Sequence, residues 1–216
     1  MFAMHFISEE LEAYVSNHSQ KEPQLLKALD LETHQKIMQP RMLSGHFQGR
    51  VLSMLSKIIS PRHILEIGTY TGYATLCLAE GLQKNGTLDT IDVNEELVEI
   101  QEKYFGLSNY KQQIISHLGD ATVIIPTLNK TFDLVFIDAD KENYITYFNM
   151  IISKMNQGGI ILTDNVLWSG KVLETIKEKD ISTETLVAYN KLINEDARVE
   201  TVLLPIRDGL TVTRVL

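Results

Sequence analysis

The sequence predicts an α/β fold: a doubly wound, mostly parallel sheet with an antiparallel C-terminal hairpin and extra N-terminal helices. From His63 onward, short apolar runs alternate with stretches of helical composition, which is the pattern of a parallel sheet with helices on both faces. The last two apolar runs are joined by a short turn at Asp208-Gly209, so they must pair antiparallel. The stretch Ser8–Ile59, by contrast, has helical character throughout.

The N-terminal stretch is predicted to form two or three helices, because Pro23 and Pro40 interrupt it. We interpret the whole chain as a single domain, in which residues 1–59 are a helical extension and residues 60–216 are the core. The extension is expected to cover the carboxyl edge of the sheet or to form a subunit contact, and we expect a homodimer.

The core is predicted to alternate strands and helices in chain order. The predicted strands are His63–Ile67, Leu88–Val93, Lys111–Leu118, Phe132–Ile137, Gly159–Thr163, Val199–Leu204 and Leu210–Val215. The predicted helices are Gly72–Gly81, Glu95–Leu107, Ala121–Leu128, Asn143–Met155 and Lys179–Ala197. The strands are short apolar runs, as expected for strands buried on both faces.

The composition narrows the class of protein. The chain has 216 residues and is 44% hydrophobic, which is enough for a sizeable core. Its net charge of −8, with dispersed Lys and Arg, argues against a large nucleic-acid footprint. The single cysteine, Cys77, fits a reducing compartment. There is no run of 18 apolar residues, and Met1–Glu10 lacks a signal-peptide pattern, so we expect a cytoplasmic protein without a membrane association.

The most informative feature is a pair of apolar runs that end in polar side chains. Asp138 and Lys141 follow the predicted strand Phe132–Ile137, and Asp164 and Asn165 follow the next strand. Because open α/β sheets place their chemistry at the carboxyl ends of the strands, the two aspartates and the asparagine should meet there. These oxygen ligands suit a hard divalent cation, and Lys141 lies within reach of anything bound to it. A surface ion pair between Asp138 and Lys141 is the competing interpretation.

The turn after the first predicted strand has the features of a ligand-binding loop. Gly68 allows a ligand to approach the backbone closely, and Gly72 suits a tight entry into the following helix. Glu66 lies beside this turn and favours a ligand that carries an ammonium or sulfonium group over an anionic one. Asp92 ends the second strand, where a carboxylate can accept both hydroxyls of a ribose. The alternatives are a tight turn without a ligand and an aspartate that only caps the next helix.

Two further segments extend the candidate site. Gly119, Asp120 and Ala121 follow the third strand and are placed to line an adenine, although Asp120 can also cap the next helix. Trp168 lies in the loop after Asp164 and Asn165, where it either forms a wall of the substrate site or packs against the core.

These residues together resemble a known family. The segments Glu66–Tyr73, Asp92, Gly119–Ala121, Asp138–Lys141 and Asp164–Val172 resemble, in the same order, the cation-dependent O-methyltransferases. These are the catechol and caffeoyl-coenzyme-A O-methyltransferases and their small bacterial relatives. The resemblance runs from about Arg41 to the C-terminus, and the Asp-Ala-Asp-Lys sequence places the chain nearer the caffeoyl and bacterial branch.

The resemblance implies a Rossmann-like class I methyltransferase fold and methyl transfer from S-adenosylmethionine to a hydroxyl of a catechol-type small molecule. It implies Mg²⁺, or another divalent cation such as Mn²⁺ or Ca²⁺, held by Asp138, Asp164 and Asn165, with Lys141 as the general base. The residues that it places at the methyl donor are Met42, Ser44, Glu66, Gly68, Thr69, Tyr70, Ala74, Asp92, Gly119, Asp120, Ala121, Asp138 and Asp140. Those that it places at the acceptor are Lys141, Trp168, Ser169 and Asp208.

Two positions depart from the family pattern. Ala74 stands where the family often has a serine that contacts the donor carboxylate, so Thr75 or backbone N–H groups must take that role. Ser169 stands where plant caffeoyl-type enzymes usually have an asparagine that contacts the substrate.

One alternative within the same superfamily is an enzyme that methylates a hydroxyl on the wobble uridine (5-hydroxyuridine) of tRNA. Such an enzyme should carry a basic stripe beside its site. Lys171, Lys177 and Lys179 are the local candidates, and the net charge of −8 counts against them.

Overall fold

The structure is a computed structural model and describes residues 8–216. Its strands are β1 (His63–Ile67), β2 (Thr87–Asp92), β3 (Ile114–Leu118), β4 (Phe132–Ile137), β5 (Met155–Asp164), β6 (Val199–Leu204) and β7 (Leu210–Val215). Its α-helices are α1 (Glu9–Asn17), α2 (Gln24–Lys36), α3 (Gly45–Ile59), α4 (Tyr73–Ala79), α5 (Val98–Leu107), α6 (Ala121–Thr127), α7 (Tyr144–Ile151) and α8 (Ile181–Glu195).

The seven strands form one sheet in the order β3-β2-β1-β4-β5-β7-β6. Strands β1 to β5 run parallel, and β7 pairs antiparallel with both β5 and β6. This arrangement confirms the predicted fold class. The strand order reverses between β1 and β4, which is where open α/β sheets have the crevice that binds ligands.

Several element boundaries differ from the prediction. Strand β5 begins at Met155 instead of Gly159, because Met155 pairs with Phe132 and the register then shifts before Leu134. Gly158 therefore lies, like Gly159, within an irregular strand. The predicted helix after β4 is divided into a 3-10 turn at Lys141–Asn143, the helix α7 and a second 3-10 turn. A 3-10 helix at Trp168–Leu173 was not predicted.

The core lies on both faces of the sheet, because side chains of a strand point alternately to its two sides. On one face Ile64, Leu134 and Phe136 pack with residues of α2 to α5. On the other face Leu65 and Val135 pack with residues of α6 to α8. The sheet is thus covered by helices on both sides, and its carboxyl edge is the place where polar side chains can collect.

The N-terminal helices lie against the elements that follow β1. The hydroxyl of Tyr73 in α4 donates to Glu22 over 2.5 Å, and Thr33 of α2 donates to Thr71 over 3.3 Å. Helix α3 also reaches the carboxyl edge, where Gln48 donates to Asp164. The N-terminal extension therefore covers the carboxyl edge, as one of the two alternatives predicted, and the subunit contact stays a prediction.

No helix within residues 8–216 is long and apolar enough to cross a membrane. Most of the Met1–Glu10 stretch, on which the absence of a signal peptide was judged, lies outside the described residues.

Candidate functional site

The carboxyl ends of β4 and β5 bring the candidate metal ligands together. The two strands are parallel neighbours, with Ile137 paired to Thr163, so Asp138 and Asp164 leave the sheet side by side. The ammonium group of Lys141 lies between the two strand ends. Its Nζ donates to Asp138 Oδ1 over 3.1 Å and to Asn165 Oδ1 over 2.8 Å.

The Lys141–Asp138 pair is largely buried and has further partners. The side chains are 10% and 23% exposed, which is too buried for an incidental surface ion pair. Lys141 Nζ also donates to the hydroxyl of Tyr144 over 2.6 Å, and that hydroxyl donates to the backbone oxygen of Asp164 over 3.1 Å. Asp138, Tyr144 and Asn165 thus hold the amine in a defined position at the strand ends.

Asp164 is the most buried of the candidate ligands, at 3% exposure. Its Oδ1 accepts the backbone N–H of Asn165 over 2.8 Å, and its Oδ2 accepts the side-chain N–H of Gln48 over 2.7 Å. Burial, and then the neighbouring charge of Asp138, raise the pKa of Asp164 to about 7. Two carboxylates so close to each other in a buried setting favour a cation between them.

The residues present fit the divalent cation that the family resemblance implies. All side-chain donors in the set are oxygen atoms, the type that Mg²⁺, Mn²⁺ and Ca²⁺ prefer. Oxygens of Asp138 and Asn165 already converge on one positive charge, the ammonium of Lys141. Within residues 8–216, no group of three or more His, Cys, Asp or Glu side chains is placed to hold a metal, so the set needs the amide oxygen of Asn165.

The turn after β1 passes directly beside Asp138. Gly68 has a φ of +99°, and a Cβ at this position would lie 1.9 Å from the backbone oxygen of Asp138. Only glycine permits this approach. A small cavity opens here, and seven of the predicted donor-site residues are among those that line it. The lining residues are Met42, Leu43, Ser44, Gly68, Thr69, Tyr70, Tyr73, Ala74 and Asp138.

Glu66 lies behind this cavity and does not line it. Its side chain is fully buried, and its Oε2 accepts the hydroxyls of Thr75 and Thr90 over 2.5 Å each. The other carboxylate oxygen is buried without a hydrogen-bond partner within residues 8–216. Burial is the main reason why the pKa of Glu66 rises to about 8. Since Thr75 donates to Glu66, backbone N–H groups remain the alternative for the serine that is replaced by Ala74.

Asp92 closes the turn from the side of β2. Its Oδ2 accepts the backbone N–H of Tyr70 over 2.7 Å, and its Oδ1 accepts that of Asn94 over 2.9 Å. Each oxygen keeps capacity for one more hydrogen bond, which is compatible with a ribose ligand. Gly119, with a φ of +145°, donates its N–H to the backbone oxygen of Asp92 over 2.8 Å, so it follows β3 next to this turn.

Two further aspartates from the predicted donor site hold local structure. Asp120 caps α6 through the backbone N–H of Thr122 over 2.7 Å, as the alternative interpretation expected. Asp140 accepts the hydroxyl of Tyr147 and the side-chain N–H of Asn143, both over 2.5 Å. Ala121, at the start of α6, is buried. These contacts leave a role at the donor open for each residue.

Besides Lys141, the predicted acceptor residues lie on two loops that contact each other. They are Trp168, Ser169 and Asp208. Asp208 in the β6–β7 turn accepts the backbone N–H of Ser169 over 2.5 Å. Trp168 is half-buried against the core cluster on the side of α7 and α8, and Lys171 Nζ lies 5.6 Å from the centre of its ring. The site thus has a side built from the loop after β5 and the β6–β7 turn.

Unusual backbone conformations collect at this edge of the sheet. Seven residues other than glycine have positive φ within residues 8–216, and five of them lie around the site. These five are Tyr70, Asn165, Trp168, Ser169 and Arg207. Because such conformations are unfavourable for L-residues, their clustering supports a functional role for this edge.

The sequence did not identify three residues of this site. Tyr144 was not assigned to the site, but it contacts Lys141 and Asp164. Gln48 and Arg207 were not singled out, and they form a hydrogen bond of 3.0 Å between Arg207 Nη1 and Gln48 Oε1. The spacing of Lys141 and Tyr144 could have indicated the first contact, but no local pattern indicates the others.

Comparisons with known proteins agree with this geometry. Residues 16–216 match a family model described as O-methyltransferase. The chain is 33% identical over 205 residues to a caffeoyl-CoA O-methyltransferase of Petroselinum crispum, which covers 90% of this chain and 85% of the relative.

Solved structures give the same result. An O-methyltransferase from Bacillus cereus in complex with SAH has a TM-score of 0.88 and 27% identity, over 96% of this chain and 97% of that chain. The O-methyltransferase TomG from Streptomyces achromogenes, in complex with SAM, has a TM-score of 0.87 and 25% identity, over 95% and 96% of the two chains.

Proposed function

Because this chain belongs to the O-methyltransferase family and is an S-adenosylmethionine-dependent O-methyltransferase, we propose that its acceptor is a small molecule with two hydroxyls on adjacent aromatic carbons. We further propose that Asp138, Asp164 and Asn165 hold a divalent cation, Mg²⁺ or alternatively Mn²⁺ or Ca²⁺. The observation that carries the proposal is the convergence of Asp138 Oδ1 and Asn165 Oδ1 on Lys141 Nζ, at 3.1 and 2.8 Å.

The chemistry requires an acceptor oxygen that loses its proton. A phenol has a pKa near 10, as in tyrosine, so little of it is ionised at neutral pH. The divalent cation, when bound, would supply a Lewis acid that lowers the pKa of the acceptor hydroxyl. Lys141 in its amine form would take the proton on Nζ, and Tyr144 holds Nζ in place through a 2.6 Å hydrogen bond.

The rest of the site would orient the reactants. S-adenosylmethionine supplies the methyl group, and the cavity between Ser44, Gly68 and Ala74 is the proposed place for its methionine end. Asp92 is proposed to accept the ribose hydroxyls, and Gly119, Asp120, Ala121 and Asp140 to surround the adenine. Fixing the methyl group and the oxygen in one line accounts for much of the remaining rate acceleration.

The ligand set also favours a particular acceptor. A cation that activates one hydroxyl is bound more firmly when a second oxygen on the neighbouring carbon completes a chelate ring. The relative from Petroselinum crispum is named for a caffeoyl group, which carries two such hydroxyls. Trp168, Ser169 and Asp208 are the proposed walls for the aromatic ring. The tRNA alternative receives no support from the relatives.

The test compares catechol with phenol in the presence of S-adenosylmethionine and Mg²⁺. We expect the activation free energy for catechol to be lower by several kcal/mol, which makes its reaction rate roughly 10³-fold higher than that of phenol. Excess chelator should abolish turnover and Mg²⁺ should restore it, and Asp164→Ala should act like chelation. The matched control is Asp196→Ala, which removes a carboxylate that pairs with Arg198 at the surface.

Equal rates on catechol and phenol would reject the chelate argument. Full activity in excess chelator would remove the cation from the proposal, while methylation by itself would still stand.

Two further attributes of the enzyme are proposed, a homodimer and a cytoplasmic location. The single cysteine, Cys77, is buried, which suits a compartment where no disulfide forms. Sedimentation of the purified chain would show whether it is a dimer in solution.

A further inference from the structure

A second cavity lies beside the candidate site, on the side of the N-terminal helices. It has a volume of about 270 Å³, which is a suitable size for part of a small ligand. Its lining residues are Glu12, Ser16, Ser44, Gly45, His46, Phe47, Gln48 and Arg207. Ser44 also lines the donor cavity, and Gln48 binds Asp164, so this cavity adjoins both proposed reactants.

Arg207 brings a positive charge to this cavity. It stands in the β6–β7 turn with a φ of +49°, an uncommon conformation for a side chain of this size. Its Nη1 donates to the backbone oxygens of Leu43 and Ser44 and to Gln48 Oε1. All three acceptors are neutral, and within residues 8–216 Arg207 forms no ion pair with a carboxylate. Nε and Nη2 therefore keep N–H groups for a ligand.

The beginning of α3 adds a second group of donors. Gly45, His46 and Phe47 form its first turn and line the cavity, and backbone N–H groups in a first turn have no acceptor within the helix. Ser44 precedes them without capping the helix through its side chain. Ser44 is only 7% exposed, and its hydroxyl forms no hydrogen bond with any residue from 8 to 216. A 15-residue helix that begins in this way favours negative charge at its start.

The cavity lies close to the proposed cation site. The amide of Gln48 joins the two, since Nε2 lies 2.7 Å from Asp164 Oδ2 and Oε1 lies 3.0 Å from Arg207 Nη1. The orientation of this amide is fixed, because a guanidinium can only donate and the carboxylate here accepts. Arg207 Nη1 is therefore within about 8 Å of Asp164, given the size of an amide group. The Gln48 amide fills the direct line between the two groups, so an acceptor that reaches both would lie alongside this amide.

We propose that this cavity is the subsite for a carboxylate on the acceptor, bound by Arg207 and the first turn of α3. The inference rests on the catechol O-methyltransferase activity proposed above and narrows its substrates to free catechol acids, such as dihydroxybenzoic and dihydroxycinnamic acids. Glu12 lines the same cavity and would repel an anion next to it. The carboxylate is therefore placed at the Arg207 side. A coenzyme A thioester of the same acid has no carboxylate at that position.

The experiment compares 3,4-dihydroxycinnamate with its methyl ester, which has the same ring and no charge. For the wild type, we expect a kcat/KM about tenfold higher for the acid, since one charge-assisted hydrogen bond is worth about that factor. In Arg207→Gln the ratio of acid to ester should fall close to one, mainly through the KM of the acid. Arg207→Lys should keep most of the preference. Arg214→Gln is the matched control. It removes a cation from the same β6–β7 hairpin, and this cation pairs with Glu200 at the surface.

The ratio of kcat/KM for the acid to that for the ester shows whether Arg207 binds a carboxylate or has only a structural role. Loss of the contacts from Arg207 to Ser44 and Gln48 can lower kcat/KM for both the acid and the ester, but it should not change the ratio of the two values. An unchanged ratio in Arg207→Gln, or equal kcat/KM for acid and ester in the wild type, would overturn the proposal. If Arg207→Gln does not fold, ionic strength gives the answer in the wild type: salt should raise the KM of the acid and not that of the ester.

If neither acid nor ester is methylated, the proposed function fails, and calorimetric binding of the acid to the wild type and to Arg207→Lys still tests the subsite. If 3,4-dihydroxycinnamoyl-CoA is preferred over both and that preference depends on Arg207, the anion is a phosphate and the carboxylate assignment is wrong.

Discussion

We expect the wild-type protein to lose stability as the pH rises toward 8, and replacing Glu66 with glutamine should remove this loss. Glu66 is fully buried in β1, and its Oε2 accepts hydrogen bonds from Thr75 and Thr90. Burial is the main cause that raises its pKa from 4.5 to about 8. Glutamine keeps the shape of the side chain and an oxygen that can accept both hydrogen bonds, but it cannot ionise.

The magnitude follows from proton linkage. In the unfolded chain Glu66 ionises at its ordinary pKa of 4.5, whereas in the folded protein it keeps its proton until the pH approaches about 8. The folded state therefore binds one more proton than the unfolded state between these pH values. The stability that Glu66 contributes is complete below pH 4.5 and is lost as the pH rises through the folded pKa. One proton corresponds to about 1.4 kcal/mol per pH unit. Between about pH 5.5 and 7.5 the wild type should lose about 2–3 kcal/mol relative to Glu66→Gln.

The measurement is urea unfolding of both proteins across this pH range, without methyl donor or divalent cation. Asp164, whose pKa is raised to about 7, is present in both proteins, so its contribution cancels in the difference. Glu200→Gln is the control, because it changes an exposed glutamate that pairs with Arg214 and should leave the slope unchanged. A constant difference in unfolding free energy between wild type and Glu66→Gln would mean that Glu66 is ionised in the folded protein, and the argument would fail.

Two further predictions concern catalysis and donor binding. Lys141→Ala should lower kcat by roughly 10² to 10⁴, the usual range for a general base, with little change in S-adenosylmethionine affinity by calorimetry. A pH–rate profile that is identical in the mutant would reject the assignment of the base. Asp92→Ala should weaken S-adenosylmethionine binding by about 1.5–3 kcal/mol, because a charge-assisted hydrogen bond is lost. Calorimetry that finds wild-type affinity for the mutant would exclude the ribose role.

The sequence was a good guide wherever the determining pattern is local. Apolar runs separated by helical stretches predicted the order of the elements and the antiparallel ending, because each run must be buried and parallel strands need a crossover. The same pattern placed Asp138, Asp164 and Asn165 together, since the carboxyl ends of adjacent parallel strands share one edge of the sheet. Boundaries were less certain, as at β5, where a glycine pair that is typical of a turn lies inside an irregular strand.

Tertiary structure alone decided the contacts between residues that are far apart in the chain. Gln48 and Asp164 are separated by 116 residues, and Arg207 and Gln48 by 159, so no spacing in the sequence could indicate their hydrogen bonds. The direction of the Thr75 hydroxyl, toward Glu66 and away from the donor cavity, likewise depends on the packing of α4 against β1 and β2. Periodicity fixes which residues are buried and which strand ends are polar. Which polar groups then meet depends on how helices from distant parts of the chain pack over the edge of the sheet, and that packing is set by the whole core.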